Sequence, residues 1–188
     1  HGVESLGYAL VEHPRPGRFD ADTADRLGVP NGPERGRLQQ GEAVVLADGT
    51  VIAPEQVLGP QRRGRVLVLT GDTAPAASVV ETAAGADVLV HEATFLADER
   101  ERARETLHST AGEAALVARE AGVGMLALTH LSVRYAGAAV ADEARQLFPG
   151  TVVPRDFDVI EVPFPERGPP LLVPKGARRG RSGVGSEA

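Results

Sequence analysis

The sequence predicts an α/β sandwich, and three observations carry that prediction. Short apolar runs at 66–69, 87–90 and 123–128 are rich in Val, Leu and Ala and read as buried strands. Helical patterns fall between them, so β and α elements alternate as they do when helices cover a sheet. Each run also leads into an acid or an imidazole: Asp72 after Gly71, His91 with Glu92, and His130. Open α/β folds place their sites at the C-terminal edges of strands. One such residue alone is ordinarily a cap on a strand end. Three in succession point to a metal site.

The elements follow in order. Alternation from Leu6 onward, with aromatic Tyr8, predicts a strand over Tyr8–Val11. From residue 13 the pattern breaks, because Pro14, Pro16, Gly17, Gly28, Pro30, Gly32, Pro33, Gly36 and Gly41 interrupt every period. A short helix over 21–27 with Asp20 as N-cap is expected here. Brief strands at 43–46 and 50–52 flank Ala47-Asp48-Gly49, a hairpin turn. The segment is too structured for a linker and too poor in apolar residues for a core of its own. It reads as an arm extruded from the domain, since a loop this long without function is uncommon.

Beyond the Asp72 strand, a helical pattern over 74–84 closes at Gly85, and the strand at 87–90 follows. Residues 98–106 interleave acids and arginines and read as a helix with a solvated face. Thr110 and Glu113 have capping-box spacing for a helix that runs to Ala121 and closes at Gly122. After the strand at 123–128, a helix over 138–148 ends at Pro149-Gly150, and 157–162 is a last strand. The expected organisation is a strand and ligand segment over 1–12, a flexible arm over 13–65, the main body over 66–163 and a disordered basic tail over 164–188.

Composition narrows the chemistry. A chain of 188 residues with 42% hydrophobic content is globular and can bury a full core. Cysteine is absent, which excludes disulfides, thiolate metal sites and cysteine nucleophiles. Any metal must be held by imidazole and carboxylate, a set that suits zinc or manganese. No apolar run approaches the roughly 20 residues of a membrane span, and no signal peptide opens the chain, so a soluble cytoplasmic protein without a membrane partner is expected. The formal net charge of −6 argues against a broadly basic nucleic-acid binder. Its distribution is uneven, with eight Arg against seven acids over 13–65 and seven Arg against fifteen acids over 66–165. An acidic half that approaches a polyanion needs metal ions or a local basic patch. Met125 is the single methionine and His1 opens the sequence, so the chain is expected to be a processed product or a fragment.

Five segments together are specific. His1-Gly-Val-Glu-Ser-Leu-Gly-Tyr8, Gly71-Asp72-Thr73, His91-Glu92-Ala93-Thr94, His108-Ser109-Thr110 and Thr129-His130-Leu131-Ser132-Val133-Arg134-Tyr135 resemble ribonuclease Z, the tRNA 3′-processing endonuclease family of the metallo-β-lactamase superfamily. They occur in the family's order and spacing and cover residues 1–163. The resemblance implies the C-terminal half of a metallo-β-lactamase αββα sandwich with an extruded arm. It also implies a phosphodiesterase with two Zn2+ per subunit, other divalent ions such as Mn2+ being alternatives. By position, His1 and His130 match metal ligands, and Asp72 matches the carboxylate that bridges both ions. His108 and Glu92 match the pair near the scissile bond, where a leaving 3′-oxygen must gain a proton and imidazole is the side chain that titrates near neutral pH.

The resemblance further implies that the arm, with Gly32 and Pro33 in its Gly-Pro segment, grips precursor tRNA within a homodimer. Ser132 and Arg134 become phosphate contacts, the guanidinium fork suiting phosphate. His91 is expected to order its loop rather than bind metal, and His13 to have no role. The family's His-x-His-x-Asp-His segment is not in these 188 residues, so the chain by itself is expected to be inactive. Two alternatives stand beside this reading: another hydrolase of the same fold, acting on small phosphodiesters or sulfate esters, and a non-catalytic tRNA-binding or dimerisation fragment.

Overall fold

Apolar runs that are far apart in sequence pair into one five-stranded sheet in the computed structural model, which describes residues 4–177. In chain order the elements are β1 (Tyr8–Val11), α1 (Ala21–Arg26), α2 (Pro33–Gln39), β2 (Val44–Val45), β3 (Val51–Ile52), β4 (Val66–Leu69), α3 (Ala77–Thr82), β5 (Val88–Glu92), α4 (Arg100–Thr106), α5 (Ala111–Ala121), β6 (Met125–Thr129), α6 (Gly137–Arg145), β7 (Thr151–Val152), β8 (Val159–Glu161) and β9 (Leu171–Val173). The chain divides into two units, one formed by residues 1–11 with 65–188 and the other by residues 12–64.

In the first unit the strand order is β1-β4-β5-β6-β7. β1 runs antiparallel to β4, with Tyr8 opposite Leu69, and β4 to β7 are parallel. The side-chain period of two sorts the strands by face. Leu89, Leu126 and Leu128 pack with Val68 beneath the helices, and the Ala-rich face of α5 (Ala111, Ala114, Ala115, Ala118) closes that core. Small side chains let the helix lie close to the sheet over the buried leucines. Truncating one to Ala costs about 2–5 kcal/mol. On the opposite face Val88, Met125 and Ala127 pack with Leu67, Val90, Val152, Ile160 and Val162.

The expected cap of α5 is present. The Thr110 hydroxyl accepts from Glu113 N at 3.1 Å, and Glu113 Oε2 accepts from Thr110 N at 3.0 Å. Gly122 ends the helix at φ 65, a left-handed residue that favours glycine. Glu143 of α6 accepts from Ala97 N and Gly112 N, both at 2.9 Å, and so ties α6 to the start of α5.

The second unit corrects one expectation. Residues 13–65 were read as lacking a core, yet Ala24, Val29, Leu38, Val44, Ile52 and Val57 form a buried cluster with Phe19, Leu27 and Leu46 against it. The apolar residues are few and widely spaced, so no periodic pattern announces them. The turns and α2, which starts on Pro33, bring them together. Asp20 caps α1 through Thr23 N at 2.9 Å, and β2 pairs β3 across the expected turn.

The tail is corrected in part. Residues 164–188 were expected to be disordered, but Pro165–Arg167 form a 3-10 turn and β9 pairs antiparallel with β8. Phe164 lies under the guanidinium groups of Arg65 at 4.8 Å and Arg167 at 5.7 Å. The Leu171-Leu172-Val173 run supplies the strand that flanking Pro and Gly conceal. The rest of that expectation, at 178–188, lies outside the described residues, as does His1.

Candidate metal centre at the C-terminal sheet edge

Asp72 reaches the edge because β4 passes close under the chain entering β1. A Cβ on Gly71 would collide with Ser5 Oγ and stand 3.0 Å from Leu6 O, so the close approach favours glycine. Next along the edge, Glu92 ends β5 and is 1% exposed. A carboxylate buried so deeply must be satisfied. It accepts from Thr73 N at 2.9 Å, Thr94 N at 3.1 Å, the Thr94 hydroxyl at 2.9 Å and His108 Nδ1 at 2.7 Å.

His108 sits in the link between α4 and α5. Leu107 turns the chain at φ 59, and the Ser109 hydroxyl donates to Thr73 O at 2.7 Å. With Nδ1 engaged by Glu92, Nε2 is the ring nitrogen that would meet an ion or a substrate oxygen. Such a carboxylate–imidazole pair fixes the tautomer and the ring orientation.

His130 follows β6 directly, at φ 54. Its ring stacks on that of His108 at 5.5 Å with 20° between planes, and Nε2 is 3.5 Å from Asp72 Oδ2. Donor atoms of Asp72, His108 and His130 lie within 4.8 Å of one another. Ligands about 2.1 Å from a tetrahedral zinc stand roughly 3.4 Å apart. Side-chain shifts on the order of 1 Å would therefore let one ion sit among them, held by Asp72 and His130 with His108 Nε2 beside it. Imidazole and carboxylate are donors that zinc and manganese accept.

By the resemblance Asp72 and His130 match ligands and His108, with Glu92, the pair near the scissile bond; the structure brings the side chains of Asp72, His108 and His130 together. His91 lies outside the group. It is fully buried, donates Nδ1 to Glu92 O at 2.7 Å, and its Nε2 is buried without a partner. Burial pushes its pKa below the usual histidine value.

The remaining site residues are dispersed. Ser132 N donates to Thr94 O at 3.3 Å, and Ser132 Oγ accepts from Arg134 N at 3.4 Å. The Arg134 guanidinium pairs with Glu99. Gly32 precedes α2 at φ 157 and Pro33 is its first residue, both within the unit of residues 12–64. Glu99 was missed: residues 98–106 read as a solvated face, and a bond across 35 positions leaves no periodic signal.

No protein-family model matches the chain. Ribonuclease Z of Haloferax volcanii is 54% identical over 167 residues, covering 87% of this chain and 53% of its own length. Ribonuclease Z of Myxococcus xanthus is also 54% identical over 167 residues, 87% of this chain and 54% of its own. Among solved structures, the short form of human tRNase Z is 28% identical and covers 60% of this chain and 36% of its own, with a TM-score of 0.44. The chain spans about half the length of the curated relatives it matches.

Proposed function

The chain belongs to the ribonuclease Z family, and on that premise we propose that it is part of a metal-dependent endoribonuclease. The reaction is removal of the 3′ trailer from precursor tRNA, leaving a 3′-hydroxyl on the tRNA. The observation that carries this reading is the convergence of Asp72, His108 and His130 at one sheet edge, with His108 held by buried Glu92. In this reading Asp72, His130 and His1 would hold two Zn2+, with Mn2+ as the alternative. Bound there, the ions would supply a hydroxide at neutral pH and positive charge beside the phosphate.

The chain's own residues do the rest. As the bond from phosphorus to the 3′-oxygen breaks, that oxygen takes a proton from His108 Nε2. Glu92, on Nδ1, holds the ring in the orientation that transfer needs. Ser132 and Arg134 meet a phosphate beside the scissile one. The unit of residues 12–64, with Gly32 and Pro33, grips the body of the tRNA, and two subunits work as a homodimer in the cytoplasm. Among the described residues no helix is long and apolar enough to cross a membrane. Alone, the 188 residues supply too few ligands for two ions and do not turn over RNA.

The test joins this chain to the segment that carries the remaining ligands and follows a labelled precursor tRNA beside a small phosphodiester. Asp72→Ala should abolish both cleavages if both ions depend on it. Deleting residues 17–60 should abolish tRNA cleavage and spare the small substrate. Loss of both on deletion would remove the arm's assigned role, and full activity in Asp72→Ala would remove the metal centre.

A further inference from the structure

Glu99 lies at the end of the 3-10 turn Ala97–Glu99, just before α4, and its carboxylate gathers donors from two directions. Arg134 Nη1 donates to Oε1 at 2.9 Å and to Oε2 at 3.1 Å. The Tyr135 hydroxyl donates to Oε2 at 2.7 Å, and Arg102 Nη1 reaches Oε1 at 3.5 Å. Two of these donors come from the segment that follows β6 and begins with His130. That segment has no regular structure. His130 is in the left-handed region, which an L residue adopts only where its surroundings insist on it. Besides the Glu99 contacts, it is held by Ser132 N on Thr94 O at 3.3 Å, Tyr135 N on Ser132 O at 3.1 Å, and the Thr94 hydroxyl 3.2 Å from His130 O. These bonds hold its backbone, and Glu99 holds the two side chains at its far end.

We infer that Glu99 is a positioning residue: by clamping Arg134 and Tyr135 it sets the loop of residues 130–135 so that His130 faces Asp72 and Arg134 is turned toward substrate. Nη1 of Arg134 is committed to Glu99, and the side chain is half-exposed, so the guanidinium held there can still meet a phosphate. The titration of the partners is consistent with the arrangement. Burial, with the hydrogen bond to Glu99 second, raises the Tyr135 hydroxyl to about 12, and the bonds from Tyr135 and Arg134 hold the Glu99 carboxyl below its usual value. The inference rests on the reading of His130 as a ligand and Arg134 as a phosphate contact. It adds a residue that touches neither metal nor RNA.

The 188-residue chain serves for the test, with Glu99→Ala, Glu99→Gln and, as a control on the same carboxylate, Arg102→Ala. Three quantities are measured: the melting temperature, amide hydrogen exchange over residues 129–136, and Co2+ affinity read from the visible absorption of the bound ion. Glu99→Ala should weaken Co2+ binding about tenfold, as removal of groups that orient a ligand does. It should also speed exchange at Ser132 and Tyr135 about tenfold or more, with Arg102→Ala unchanged in both. Should Glu99→Ala fail to fold, Glu99→Gln, which keeps shape and loses charge, should show the same changes in smaller degree.

Unchanged exchange in the Glu99 variants overturns the clamp. Faster exchange with unchanged Co2+ affinity overturns the positioning of His130. If the wild-type chain alone takes up no Co2+, the affinity comparison is made in the chain joined to the segment with the remaining ligands; no uptake there overturns the metal centre proposed above, and the exchange comparison still decides the clamp.

Discussion

His91 and Glu92 are neighbours in β5 with opposite circumstances. Glu92 is a buried acid with four donors around it, whereas His91 is a buried base with one nitrogen on a carbonyl and the other facing nothing polar. Burial is the main cause that lowers the His91 pKa from 6.5, with the Glu92 carbonyl and charge opposing it. The folded value is depressed, so below about pH 6.5 the unfolded chain binds a proton that the native chain refuses. Stability from this group is therefore full above pH 6.5 and is lost as pH falls toward the folded value, at up to about 1.4 kcal/mol per pH unit. Melting curves from pH 7.5 to 5 should show this slope in the wild type and a shallower one in His91→Asn. Parallel slopes in the two proteins would mean that His91 is protonated in the fold. The type of residue at this position was legible in the sequence, but not its burial, because a histidine at the end of an apolar run fits a ligand and a core residue equally well.

Elements whose signals are local were the legible ones. The Thr110–Glu113 box, the Asp20 cap and the Asp48-Gly49 turn each lie within a few residues of their partners, so spacing alone identifies them. The core of residues 12–64 was not legible, since Leu38 meets Ala24 and Ile52 only after α1, α2 and the β2–β3 hairpin have formed. A cluster of six residues has little redundancy, so losing its largest helical member should melt it. Leu38→Ala is expected to cost about 2–5 kcal/mol. Limited proteolysis should then cut within residues 12–64 while the fragments covering β4 to β7 persist. Equal protection in variant and wild type would show that the arm draws its order from elsewhere than this cluster.

At the scale of the molecule, the site's donors are read off strand ends, but their convergence is a property of the sheet. Asp72 and His130 are 58 positions apart and meet because β4, β5 and β6 are parallel neighbours. The same sheet leaves one margin bare. Among the described residues β1 pairs only with β4, and Leu6, Tyr8, Leu10 and Val11 are 55–67% exposed. A mostly parallel sheet is normally covered on both faces, and an edge strand with apolar side chains offers its unpaired N–H and C=O groups to another strand. The 188-residue chain on its own should therefore self-associate, and charges on the edge should prevent it. Sedimentation velocity across a hundredfold concentration range is expected to show a weight-average mass that rises for the wild type. For the Leu10→Lys, Val11→Lys double variant it should stay at that of one chain. A wild type that remains a single chain throughout would mean that this edge is inert. Association that persists in the double variant would move the contact to another surface, as the homodimer proposed above requires if it does not use β1.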